Sequence, residues 1–222
     1  MRARMLDAGV HPGWVSLLGA LHGAGLGTAI LTTSLAMRLG AAAKRPPEPS
    51  VLTRMLDEYY RGDGNVDVGL VRVRGDRLVL HREGDRATAR QIVARLRLAL
   101  PALGPLGLIE GRDGELVLRT QGTQEPLSPE LLEEERLVID GAVYSQRTVT
   151  VRALVAATNV LLSRRRITHR FVPLTLADGI EGYVALGPAD TVLLEAEGLL
   201  DEPLDELRTF GCWDRAPLSM AS

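Results

Sequence analysis

Cysteine, lysine and aromatic residues are nearly missing from this chain, and each shortage closes off a class of function. Cys212 is the only cysteine, so no intrachain disulfide framework and no cysteine-rich zinc site can form. A reducing, cytoplasmic setting fits that usage. Next to Trp213 and a short Pro/Ser tail, the thiol reads as a small apolar spectator rather than a nucleophile. Lys44 is the only lysine, so every other basic side chain is arginine. Arginine is the better bidentate phosphate ligand, but GC-rich coding produces the same bias, and composition alone carries no functional claim. Aromatic residues make up 4% of the chain, which leaves few rings on which unpaired bases could stack.

The usual catalytic and ligand-binding signatures are missing as well. His11, His22, His81 and His169 are scattered, without a His-x-x-x-His or Cys/His pair, so no metal site is expected. Asp63, Asn65 and Asp67 match the first ligand positions of a calcium loop, but Val68 replaces the required glycine and Arg74 the closing glutamate. Gly23-Ala-Gly25-Leu-Gly27 has no strand before it, and no Gly-Lys-Ser/Thr follows a glycine loop, so no nucleotide cofactor is expected. A Gly-x-Ser-x-Gly elbow is missing too. An enzyme is therefore the third reading, and no catalytic residue is assigned.

What the chain does contain is the composition of a folded protein. Its 222 residues are 45% hydrophobic and 24% charged, with a formal net charge of −2. That is enough for one substantial core, with no global field to draw in nucleic acid or an anionic membrane. Residues 1–50 read as an N-terminal apolar segment and a proline-rich linker, Lys44 to Ser50. Trp14 to Met37 carries no formally charged side chain, but Gly19, Gly23, Gly25 and Gly27 dilute its leucines below the level of a typical span. It is expected as a soluble helical appendage. A membrane anchor, an export signal ending near Ala41 and Ala43, and a natural start at Met37 or Met55 are its alternatives.

Residues 51–210 are expected to form an α+β domain of two similarly patterned ββαββ halves, about 51–120 and 130–210. Antiparallel strands would carry helices on one face, and 211–222 would be a tail. In the first half, Ser50 caps a helix over Val51 to Arg61, and Val66 to Val73 and Leu78 to Leu80 form a hairpin around Gly75-Asp76. Asp85 then caps a helix over Arg86 to Leu100, with Ala89, Ile92, Val93, Leu96 and Leu100 on one face. Leu106 to Ile109 and Leu116 to Leu118 make a second hairpin around Asp113-Gly114. Gln121 to Pro129 reads as a polar connector and Leu131 to Glu135 as a short acidic helical turn capped by Ser128. In the second half, Leu137 to Val143 and Thr148 to Val151 are expected strands. Val151 to Arg165 is a helix burying Leu154, Val155, Thr158, Leu161 and Leu162. Thr168 to Leu176 and Gly182 to Leu186 are strands around Asp178-Gly179. Pro188 to Gly198 and Glu202 to Phe210 close the unit as acidic helices.

One surface stands out as a candidate for binding. Arg164, Arg165, Arg166, His169 and Arg170 form the densest basic run, and Arg86, Arg90 and Arg97 fall together beside the apolar face of the first long helix. Basic residues at a helix C-terminus are favoured by the helix dipole alone. By elimination, the leading expectation is a non-enzymatic protein-binding or adaptor module, possible as a homodimer. Nucleic-acid binding through the arginine patch is the alternative, and membrane contact would run only through residues 14–37.

Overall fold

A computed structural model of the chain describes residues 2–23, 40–48, 77–82, 87–111, 115–139, 142–174, 176, 179–196 and 200. The helix expected at 51–61, the strand at 66–73, the partial calcium loop, Arg86, Cys212 and the helix at 202–210 lie outside those residues. The described elements make an α+β fold with antiparallel sheets.

Two helices, α1 (Arg2–Asp7) and α2 (Pro12–Gly23), open the chain. This stretch, expected as an appendage, contributes Met5, Val10, Trp14, Val15, Leu17 and Leu18 to the same buried cluster as the later strands and helices. Trp14 is fully buried and its indole Nε1 donates to the Ala42 carbonyl, 3.1 Å away, so its one polar atom is satisfied. Gly13 is needed where it stands, because a Cβ there would come within 2.8 Å of the Pro47 ring. Among the described residues, no helix is long and apolar enough to cross a membrane.

The described strands form three sheets. In the first, β8 (Ile180–Leu186) lies between β1 (Leu78–Arg82) and β7 (Arg170–Leu174). Gly182 to Leu186 are all buried, and a strand covered on both faces reads as a continuous apolar run rather than an alternation. The sheets do not follow the two expected halves, because β1 from the first is bonded to β8 from the second, Leu78 opposite Val184 and Arg82 opposite Ile180. The physical reason is that a central apolar strand needs a neighbour on each side, and its hairpin partner β7 supplies only one. Gly182 admits the side chains of Leu80 and Leu176 where a Cβ would stand.

The second sheet runs β2 (Gly107–Glu110), β3 (Leu116–Thr120), β4 (Thr123–Pro126). The presence of β4 corrects the polar connector expected at 121–129. Gln121 and Gly122 carry φ of 30° and 82°, the positive values that a two-residue hairpin turn demands, and they fold Thr123–Pro126 back on β3 despite its polar composition. Pro126, which has no N–H, sits on an edge strand as it must.

The third sheet is a two-stranded hairpin of β5 (Leu132–Ile139) and β6 (Ala142–Val149). Here too the expectation is corrected. Only Pro129–Leu131 forms a 3-10 turn, and 132–135, expected as helical, begins β5. Pairing with the β-forming Val143, Tyr144, Thr148 and Val149 outweighs the helical preference of three glutamates.

Helix α3 (Ala89–Ala99) begins three residues later than expected. The Thr88 hydroxyl accepts from the Gln91 N–H at 3.3 Å and the Gln91 side chain accepts from the Thr88 N–H at 2.7 Å. That reciprocal capping box outcompetes Asp85. Its buried face carries Ile92, Val93, Leu96 and Ala99, together with Arg95, which donates to the Leu80 carbonyl at 3.0 Å. Helix α4 (Val151–Arg164) buries the five expected residues and also Val151, Ala153, Ala156, Ala157 and Asn159. A helix buried nearly all round must be covered on more than one side. α4 packs against α3, against β3 and β4, and against β7, while α3 touches β1 and β2. The helix pair is therefore shared by the two three-stranded sheets. Helix α5 (Pro188–Ala196) packs against β8 and α2, and beyond it Leu200 makes a lone antiparallel bridge to Leu174.

Candidate interaction surfaces

The basic run lies at the C-terminus of α4, and its residues have different fates. Arg166 has a φ of 57°, the left-handed position that follows a helix end. Its N–H donates to the Ser163 carbonyl at 2.9 Å and that of Ile167 to the Leu162 carbonyl at 2.9 Å. This is the paired closure usually built around glycine. Arg166 therefore ends the helix, and its side chain is exposed.

Arg164 and Arg165 turn back onto the β3–β4 turn. Arg164, with half its side chain exposed, donates to the Gln124 carbonyl at 2.8 Å and pairs with the Glu125 carboxylate at 2.7 Å. Arg165 donates to the Leu103 carbonyl and, at 2.8 Å, to the Gln121 side-chain oxygen. Leu103 closes the 3-10 turn Pro101–Leu103, and its carbonyl also accepts from the Thr120 hydroxyl at 3.1 Å. These two guanidinium groups hold α4, the turn after α3 and the β3–β4 hairpin together.

Arg170 is buried in β7 and donates to the carbonyls of Ile167 and His169. His169 lies 3.0 Å through its Nε2 from Nη1 of Arg77. A guanidinium only donates, so His169 accepts there as a neutral ring with its proton on Nδ1. Burial holds the pKa of His169 below its ordinary value, the Arg77 and Arg170 charges add to that, and Asp190 opposes them. Arg90 and Arg97 are exposed on α3. The expected patch is thus divided: Arg164, Arg165 and Arg170 are engaged within the chain, and Arg90, Arg97 and Arg166 present their side chains outward. Among the described residues no group of three or more His, Cys, Asp or Glu is gathered to hold a metal.

The sheet edges differ just as sharply. On β7, the outermost strand of its sheet, where Leu174 is bridged to Leu200, Phe171 donates its N–H to Oδ1 of Asn159 at 2.7 Å and accepts from Nδ2 of Asn159 at 2.9 Å. The buried amide of α4 thereby occupies the edge groups that another strand would use, and Pro173 removes a further donor.

Among the described residues the β5–β6 hairpin has no such cover. Its base is anchored: Leu132 and Val149, opposite each other, pack against the core. The Thr150 hydroxyl donates to the Leu131 carbonyl at 2.7 Å while accepting from the Ala153 N–H at 3.0 Å. Beyond the base the ribbon makes no extensive contact with any other described element. Val138 and Val143 stand opposite each other and are 70% and 68% exposed. At about 3.3 Å per residue the arm is ~26 Å long. Sequence reasoning missed it because Leu137 to Val143 looks like one strand. The available signal was Asp140-Gly141, the dipeptide favoured in two-residue hairpins, flanked by Val138-Ile139 and Ala142-Val143.

Comparison of the chain with models of known families, with characterised proteins and with solved structures gives no match.

Proposed function

We propose that this chain is a non-enzymatic protein-binding module and that the β5–β6 hairpin is its binding element. The observation that carries the reading is the exposed Val138–Val143 pair on a ribbon that no other described element covers. An isolated two-stranded hairpin is marginal in water, and three or more strands or a packing partner make it stable. A protein laid along this arm would supply either. Burying an exposed valine contributes about 1.5–2 kcal/mol, and backbone groups along an unpaired edge add directional hydrogen bonds.

The test is photo-crosslinking in the native cell, with the reactive group placed at Val143 and, as a control, at Leu98, which is 44% exposed on α3. Discrete protein adducts from position 143, absent from position 98 and reduced by Val138→Lys, are expected. Equal labelling from both positions, or none from 143, would remove the hairpin from this role.

A further inference from the structure

We infer that the outer edge of β6 is a self-association edge, at which two copies of the chain pair β6 to β6 about a twofold axis and join their hairpins into one four-stranded antiparallel sheet. The inference rests on the reading of the hairpin as a binding element. It concerns which edge binds, and what.

Charge separates the two edges. β5 carries Glu133, Glu134, Glu135 and Arg136 in succession, and charges along an edge guard it against pairing. β6 carries Arg147 as its single charged residue, among Val143, Tyr144, Thr148 and Val149. Within the hairpin the position of Arg147 lies opposite that of Glu134. Among the described residues neither outer edge is bonded to another strand.

Symmetry sharpens the distinction. Residues opposite each other in a sheet share a face, so in a twofold antiparallel pair one residue must lie opposite its own copy. For β5, centring on Glu133, Glu134 or Glu135 sets glutamate against glutamate, and centring on Arg136 sets arginine against arginine, and directly opposed like charges destabilise a ladder; centring on Leu137 avoids this but pairs only residues 135–139 of the strand. For β6, centring on Gln146 sets Val143 opposite Val149 of the second copy, Tyr144 opposite Thr148, and Ser145 opposite Arg147. No like charges meet, and an apolar pair and an aromatic–β-branched pair are formed on each side of the axis. The resulting sheet has the strand number that a lone hairpin lacks. Its new outer edges are both β5, the glutamate-bearing strand, so growth stops at two copies.

Sedimentation equilibrium of the full chain over about 1 to 100 µM tests this. A dimer is expected, weakened roughly tenfold or more by Gln146→Lys, which opposes two ammonium groups at the axis, and unchanged by Glu133→Lys, on the other strand and out of register with the axis. In a Cys212→Ser background, Gln146→Cys is expected to form an intermolecular disulfide under mild oxidation, because opposed residues lie within disulfide reach, and Glu135→Cys is not. A chain that stays monomeric overturns the inference, as does a dimer indifferent to Gln146→Lys in which Gln146→Cys fails to crosslink. If the chain is monomeric but position 143 still labels another protein, self-pairing falls and the binding role stands. If both fail, the binding role falls with it.

Discussion

Two residues, one fully buried and one partly buried, set chemical conditions that their neighbours must meet. Asn159 is fully buried on a helix whose other buried residues are Val, Leu, Ala and Thr158. Its amide bonds both backbone groups of Phe171, and leaving two buried polar groups unpaired costs about 1–3 kcal/mol each. Asn159→Ala is therefore expected to lower unfolding stability by about 2–4 kcal/mol, measured by urea denaturation; a loss below about 1 kcal/mol would mean that water replaces the amide. His169 is held neutral in the fold, chiefly by burial and then by Arg77. Its folded pKa lies below the ordinary 6.5, so between the two values the unfolded chain binds a proton that the folded chain refuses. Stability is complete above the ordinary value and declines as pH falls through that window. Melting temperatures at about pH 7.5 and about pH 5.5 should show a smaller decline for His169→Gln, which keeps an acceptor for Arg77 without titrating. An identical decline would place the acid sensitivity elsewhere.

At the scale of elements, Thr150 connects the arm to the body. One hydroxyl caps α4 and also holds the carbonyl of Leu131 beside the start of β5. Thr150→Ala is expected to cost about 1–2 kcal/mol, as lost helix caps do, and Thr150→Ser to restore most of it, both read from thermal unfolding. If Ser fails to rescue, the methyl group rather than the hydroxyl is what matters. Helices were the more legible elements. The 3.6-residue spacing of Ile92, Val93 and Leu96, and of Leu154, Val155, Thr158, Leu161 and Leu162, marks the buried faces in the sequence itself. The strand β4 and the first part of β5 were not legible, because TQEP and LEEER become strands only through what they pair with, and pairing partners are not a local property.

For the whole molecule, part of the basic run is engaged within the fold. The net charge is −2, and Arg164, Arg165 and Arg170 already donate to carbonyls and carboxamides within the fold. Arg90, Arg97 and Arg166 remain exposed. Gel-shift assays at low salt are expected to show no retained DNA or RNA. A steeply salt-dependent shift that disappears in an Arg90→Ala, Arg97→Ala, Arg166→Gly variant would overturn that. Arg166→Gly suits the purpose because glycine is at ease at the left-handed position that Arg166 occupies.

The sequence by itself determined where the long helices lie, which of their faces turn inward, and that the sheets are antiparallel. Periodicity, capping and turn chemistry act within one helical turn or one hairpin, so a few neighbouring residues suffice to decide them. Only the tertiary structure decided what the arginines bind, which edges are closed, and that Trp14 and its neighbours belong to the core. A guanidinium finds its acceptor wherever folding brings one within reach, as Arg164 does at Gln124, 40 residues away. A strand edge is open or closed according to what other elements come to lie beside it, and the exposed pair Val138 and Val143 is known as a surface only because the fold leaves it uncovered.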